Sequence, residues 1–221
     1  MIIIAEGGLM QITVFGATGG VGRELVKQAL ERGYGVVAVV RDAGRLGVTR
    51  PALDVVTVTA LDDPGTLIPA IRGSDAVLSA LGPRGRKDGP VVSSSTRAIL
   101  AAMNACATKR FVAVSALPVG PTAEGERLMT RWVLLPVLKT VLGNVYADLA
   151  DMESLLQHSD VEWTVVRPPR LVDRPLTGDY RTVVGANVAR GSAISRADVA
   201  HAMLDALASA QTIQQPVGVS Y

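Results

Sequence analysis

Short runs of β-branched and aliphatic residues alternate along the chain with longer segments in which apolar positions recur every three or four residues. From Met10 onward, the runs at 11–15, 35–41, 54–59, 76–80, 111–115 and 163–167 read as strands, and the periodic segments at 20–32, 64–71, 91–108 and 145–157 read as helices. A last helix is expected at 196–208, with Ser195 as its N-cap and Asp198 three residues on. The strand runs are aliphatic and show little polar alternation, which fits strands buried on both faces of a parallel sheet. Their regular alternation with helices predicts an α/β protein, a Rossmann-type doubly wound parallel sheet in a single domain. The order weakens after Ser115, where a Pro- and Gly-rich stretch at 118–125, an apolar segment at 128–142 and a loop-rich region at 168–193 follow one another. Residues 10–115 are therefore read as a cofactor half and 116–221 as a smaller substrate-pocket portion, with one continuous domain running through both.

Composition narrows the class. Of 221 residues, 48% are apolar and 19% charged, enough for a full-sized core and too apolar for disorder as the main state. The formal net charge of +2 is spread along the chain without a basic stripe, and only two Phe, two Trp and four Tyr are present to stack on bases. Nucleic acid is thus not an expected partner. Cys106 is the single cysteine, so no internal disulfide can form, and with His158 and His201 as the only histidines no metal site is expected. The chain reads as a reduced, cytoplasmic, metal-free protein with a small-molecule substrate, as a monomer or homodimer. Residues 1–9, ahead of a second methionine at Met10, lack the basic start and long apolar run of a secretory signal and read as a flexible extension. The stretch at 128–142 carries Arg131, Pro136 and Lys139 and is too short to span a bilayer, so no membrane association is expected.

Chemistry concentrates after the first strand. Gly16-Ala17-Thr18-Gly19-Gly20-Val21-Gly22 lies between a strand and a helix, the context in which a glycine turn lets backbone N–H groups approach a pyrophosphate at the helix N-terminus. The second strand ends in Arg41-Asp42, with Arg45 close behind. A guanidinium pairs with a 2′-phosphate, whereas a carboxylate accepts hydrogen bonds from a ribose diol. With Arg41 first at the strand end, NADP(H) is preferred over NAD(H), and Asp42 keeps the other cofactor open. At the end of the fourth strand, Ala80, Leu81 and Gly82 leave room for ribose and nicotinamide.

With these elements placed, the chain resembles the atypical short-chain dehydrogenase/reductases of the NAD(P)H-binding, NmrA-like type, and among them the biliverdin reductase B-like flavin reductases. The motifs that carry the likeness are GATGGVG at 16–22, VVRDAGRL at 39–46, GSDAVLSALG at 73–82, FVAVSA at 111–116, ISRADVA at 194–200 and RPPRLVDRPLTGDY at 167–180. The resemblance implies that Thr18, Gly19, Gly20 and Val21 hold the pyrophosphate and that Arg41 and Arg45 hold the 2′-phosphate. It places Leu81, Gly82, Ser115 and Pro168 around the nicotinamide, with Leu61 and Ala80 as further cofactor contacts. Ser115 is then the residue beside the hydride-transfer site, and Trp132, Pro169, Arg170 and Tyr180 are expected at the substrate. Three departures matter. Tyr146 is followed four residues later by Ala150, so the Tyr-Lys proton-transfer pair of many short-chain dehydrogenases is missing. Ala60 stands where the family often has an acidic residue near the adenine, and Arg170 replaces a histidine. A guanidinium cannot donate its proton but can bind an anionic group. This pattern implies hydride transfer to a flavin, bound as substrate, or to a similar flat conjugated acceptor; the alternative is a non-catalytic NADP(H)-binding regulator. The Trp132 segment reads equally as a roof over the acceptor and as a core or dimer-contact helix.

Overall fold

The computed structural model describes residues 9–82, 89–121, 125 and 142–221. Its centre is an eight-stranded sheet built from β1 (Gln11–Phe15), β2 (Gly35–Val40), β3 (Leu53–Thr57), β4 (Ala76–Ser79), β5 (Arg110–Val114), β6 (Glu162–Arg167), β8 (Arg181–Val184) and β10 (Gln215–Ser220). The order across it is β3-β2-β1-β4-β5-β6-β10-β8, parallel throughout except for β8, which runs antiparallel to β10. A separate parallel pair joins β7 (Arg170–Val172) to β9 (Ala193–Ser195). The first six strands have the 3-2-1-4-5-6 order of a doubly wound Rossmann sheet.

Side-chain alternation along the strands sorts the core into two layers. Ile12, Val14, Val36, Ala38, Leu78 and Val166 face helices α1 (Gly20–Glu31) and α5 (Arg196–Ala208), which also pack on each other. Phe15, Val39, Val77, Phe111 and Val165 face the other way, under α2 (Pro64–Ile71), α3 (Val91–Ala105) and α4 (Gly143–Gln157). The central strands β1, β2, β4, β5 and β6 are buried on both sides because helices cover both faces, which is why they appear in the sequence as unbroken aliphatic runs, whereas β3 and β8 at the edges are largely exposed. No helix among the described residues is long and apolar enough to cross a membrane.

The expected strands and helices are all present, many with ends shifted by one to three residues. The second strand stops at Val40, ahead of Arg41, and the third at Thr57 rather than residue 59. The helix expected to run to 108 stops at Ala105, because Ala107 turns left-handed at φ 58°. Four strands, β7 to β10, were not expected. Through β6, β10 and β8 the region after residue 115 supplies three of the sheet's eight strands. Ser195 does cap α5, its hydroxyl accepting the Asp198 N–H. The expectations for the extension at 1–8 and for most of the apolar segment at 128–142, including Trp132, fall outside the described residues.

Candidate functional site

The chain winds from β1 outward through β2 to β3 on one side and then returns from β3 to β4 on the other side of β1, so a crevice opens at the carboxyl ends of β1 and β4. Gly16, directly after β1, adopts φ +74°, the left-handed region that glycine enters without penalty. A Cβ there would stand 2.6 Å from the Ala80 carbonyl carbon, and one on Gly22 would stand 2.1 Å from the Gly16 carbonyl oxygen. The bare glycines thus let the turn lie against the end of β4 and let α1 close down on the turn. The Gly19 N–H closes it with a 2.9 Å bond to the Gly16 carbonyl. Gly19 is also the N-cap of α1, with no side chain of its own to accept an N–H and no acidic residue in the first turn. The leading N–H groups of α1 therefore remain free of local capping and available to an anion.

The resulting cleft encloses about 420 Å³ and is lined by Gly16, Thr18, Gly19, Gly20 and Val21 from the turn, Arg41 and Arg45 after β2, and Ala80, Leu81 and Gly82 after β4. Val114, Ser115, Leu149, Leu171 and Arg196 complete it. Three of the cofactor residues expected from the sequence do not line it. Gly22 is buried in α1, Leu61 packs half-buried on the α2, α3 and α4 side, and Pro168 is buried with its carbonyl accepting the Leu117 N–H at 2.9 Å. Of the residues expected at the substrate, Pro169, Arg170 and Tyr180 also lie off the cleft lining, and Trp132 is outside the described residues. The Tyr180 hydroxyl sits 2.8 Å from His201 Nδ1, and burial, reinforced by the nearby Asp205 charge, pushes its pKa well above the ordinary phenol value.

At the basic end, Arg41 and Arg45 are both exposed to solvent. Arg23 donates to the Arg45 carbonyl at 2.8 Å, and Asp42 accepts the Gly44 N–H at 3.0 Å, so the short turn Ala43–Arg45 is held from both sides. One Asp42 oxygen is thereby committed to capping this turn.

At the far end, Ser115 follows β5 and is buried, its hydroxyl donating to Glu153 Oε1 at 2.6 Å. Glu153, buried on α4, also receives Arg167 from the end of β6: Nε reaches Oε1 at 3.1 Å and Nη2 reaches Oε2. A carboxylate paired with a guanidinium only accepts hydrogen bonds, so the Ser115 proton is directed to Glu153 and the serine turns its lone pairs to the cleft. Tyr146 lies on the same helix. Burial raises its pKa, and Ala150 brings no charge that would lower it.

Sequence reading missed Glu153, Arg167 and Arg196. The first two pair across 14 positions and meet Ser115 only in three dimensions, leaving no local signal. Arg196 was legible as the opening residue of a helix, and its place in the cleft follows from where β9 delivers that helix.

A family model described as NAD(P)H-binding matches residues 16–210, which contain the glycine turn, both arginines and Ser115. The chain belongs to this NAD(P)H-binding family. Its match spans most of the sheet, so the turn and the strand ends that form the cleft fall within it. An uncharacterised chloroplastic protein of Arabidopsis thaliana is 30% identical over 205 residues, covering 89% of this chain and 71% of that one. The uncharacterised protein YwnB of Bacillus subtilis is 30% identical over 207 residues, covering 90% and 92%. Among solved structures, ChuY of Escherichia coli O157:H7, named an anaerobilin reductase, superposes with TM-score 0.75 at 24% identity over 95% of this chain and 96% of its own. A Streptococcus pneumoniae protein, provisionally named an NADH-flavin reductase, superposes with TM-score 0.76 at 24% identity over 96% and 99%. At that identity the likeness is one of fold.

Proposed function

We propose that this NAD(P)H-binding protein is an NADPH-preferring reductase that passes hydride to a flavin, bound as substrate, or to a similar flat conjugated acceptor. The observation that carries the reading is the Ser115–Glu153–Arg167 arrangement. From the end of β4 onward the cleft is lined by Ala80, Leu81, Gly82, Val114, Leu149 and Leu171, all apolar, together with Ser115 and Arg196. Ser115 offers an acceptor there, which suits an amide or ring N–H and does not protonate a carbonyl oxygen. Reduction of a simple ketone would need such a proton donor, and a flavin, whose proton can come from water, does not.

The cradle fits a dinucleotide on its own geometry. Gly16 and Gly22 leave the space that a Cβ would fill, the α1 N–H groups are uncapped, and Arg41 and Arg45 stand at the end of β2 where a 2′-phosphate would be read. A reduced nicotinamide dinucleotide supplies the hydride when bound. With one Asp42 oxygen held by the Gly44 N–H and two guanidiniums at the same strand end, the balance of charge there favours NADPH. The protein orients both reactants over an apolar floor that limits water around the transferring atom. The two reductases of like fold support the reading by their names.

The test is to mix purified protein with NADPH and FMN or riboflavin and follow loss of nicotinamide absorbance. Turnover is expected. Tight NADPH binding without turnover of any flavin, quinone or tetrapyrrole overturns the reductase reading in favour of an NADP(H)-binding regulator.

A further inference from the structure

Two parallel strands outside the main sheet bring opposite charges together over the cleft. β7 and β9 pair in register, with Val172 beside Ser195, so the next residue of each strand emerges at the same edge. Those residues are Asp173 and Arg196, and Arg196 Nη1 donates to Asp173 Oδ1 at 2.6 Å. The arginine stem crosses the first residue of α1: a Cβ on Gly20 would stand 2.4 Å from Arg196 Cδ and 2.8 Å from its Nε. Arg196 thus lines the cleft and passes its side chain, out to Nε, over Gly20, the first residue of the uncapped α1.

We propose that Arg196 is a movable clamp on the dinucleotide pyrophosphate, held by Asp173 when the cleft carries no anion. This rests on the dinucleotide reading above and adds a cation that neither the glycine turn nor the Arg41–Arg45 pair supplies. The energetics favour the exchange. Asp173 is 89% exposed, and an ion pair so open to water contributes little. A diphosphate lying on the α1 N-terminus offers two acceptor groups in a partly desolvated site, where charge-assisted bonds are stronger. The loop beyond Asp173 is itself anchored, since Thr177 and Gly178 donate their N–H groups to Asp198 at 2.9 and 2.8 Å. The aspartate is therefore presented from a fixed base while the long arginine side chain moves.

The experiment is titration of NADPH and NADH into the wild type, Arg196→Ala, Arg196→Lys, Asp173→Asn and the Arg196→Ala/Asp173→Asn double variant, with a thermal melt of each to confirm folding. Because both cofactors carry the same pyrophosphate, Arg196→Ala should weaken both by the same factor, about tenfold, and Arg196→Lys should restore much of it. Asp173→Asn should tighten both by about two- to fivefold, and this gain should vanish in the double variant. Loss confined to NADPH puts Arg196 on the 2′-phosphate and overturns the pyrophosphate assignment. Equal tightening by Asp173→Asn with and without Arg196 overturns the exchange, since Asp173 then acts only as a general negative field. Binding of neither cofactor by the folded wild type overturns the dinucleotide reading itself, and with it this one; normal wild-type binding unchanged in Arg196→Ala overturns this one alone.

Discussion

Single side chains at the two ends of the cleft do different work. If Arg41 and Arg45 read the 2′-phosphate, replacing both with Ala should weaken NADPH by on the order of a hundredfold and NADH by less than about threefold, measured by fluorescence titration. Equal losses would refute the assignment. If Ser115, with its proton directed to Glu153, only orients the bound ring, it takes no part in the chemical step. Ser115→Ala should therefore lower turnover by about tenfold with little change in pH profile, whereas complete loss would assign it a chemical step. Asp198 is a hub of another kind. It is fully buried and accepts hydrogen bonds from Tyr221, Ser195, Thr177 and Gly178. Burial alone would raise its pKa, but these bonds together outweigh burial and hold the carboxyl below its ordinary value. A carboxylate whose pKa falls on folding adds stability above its unfolded pKa, and loses it as pH drops through the lower folded value. Asp198→Asn should thus cost about 2 kcal/mol near neutrality, with the gap to wild type closing below about pH 4 in denaturant titrations. The PLTGDY motif at 175–180 was read from the sequence as substrate-facing at Tyr180; the structure shows Thr177 and Gly178 of that stretch held by Asp198.

Among the elements, helix α3 shows how one segment completes another. Its N-cap is Pro90, which offers no side-chain acceptor, and the buried Asp148 of α4 takes the Val92 and Ser93 N–H groups at 2.9 and 2.8 Å instead. Asp148→Ala should cost about 1–2 kcal/mol, read as a lower melting temperature, because two helix N–H groups lose their acceptor in a buried place. Such a cap from a distant helix leaves no trace in local sequence. The strands divide the same way. β1, β2, β4, β5 and β6 were legible because burial on both faces demands unbroken aliphatic runs. β8 was not, since all four of its residues are exposed, nor were β7 and β9, which are three residues each. β10 hides behind Pro216 and Gly218, and Gly218 is bare because a Cβ would stand 2.5 Å from the Ala186 carbonyl oxygen. The glycine turn was legible because it is one contiguous stretch between a strand and a helix, and the two arginines because they closely follow the second strand. The Glu153–Arg167 pair behind Ser115 was not, because it is assembled from α4 and β6.

For the molecule as a whole, the sheet depends on its last strand. β10 lies between β6 and β8, and among the described residues β8 has no other neighbour in the sheet. A chain truncated before Gln215 should therefore lose β8 as well as β10 and uncover Val165 and Val166 on the far side of β6, giving a broad, non-cooperative melt. A sharp transition at the wild-type temperature would show that the first six strands suffice. The strand order also sets a timetable. During synthesis β8 leaves the ribosome before the one strand that can receive it, and β9 and α5 emerge in the interval. The β8 residues at 181–184 must wait unpaired until residues 215–220 arrive, so this edge of the sheet closes in the last moments of folding.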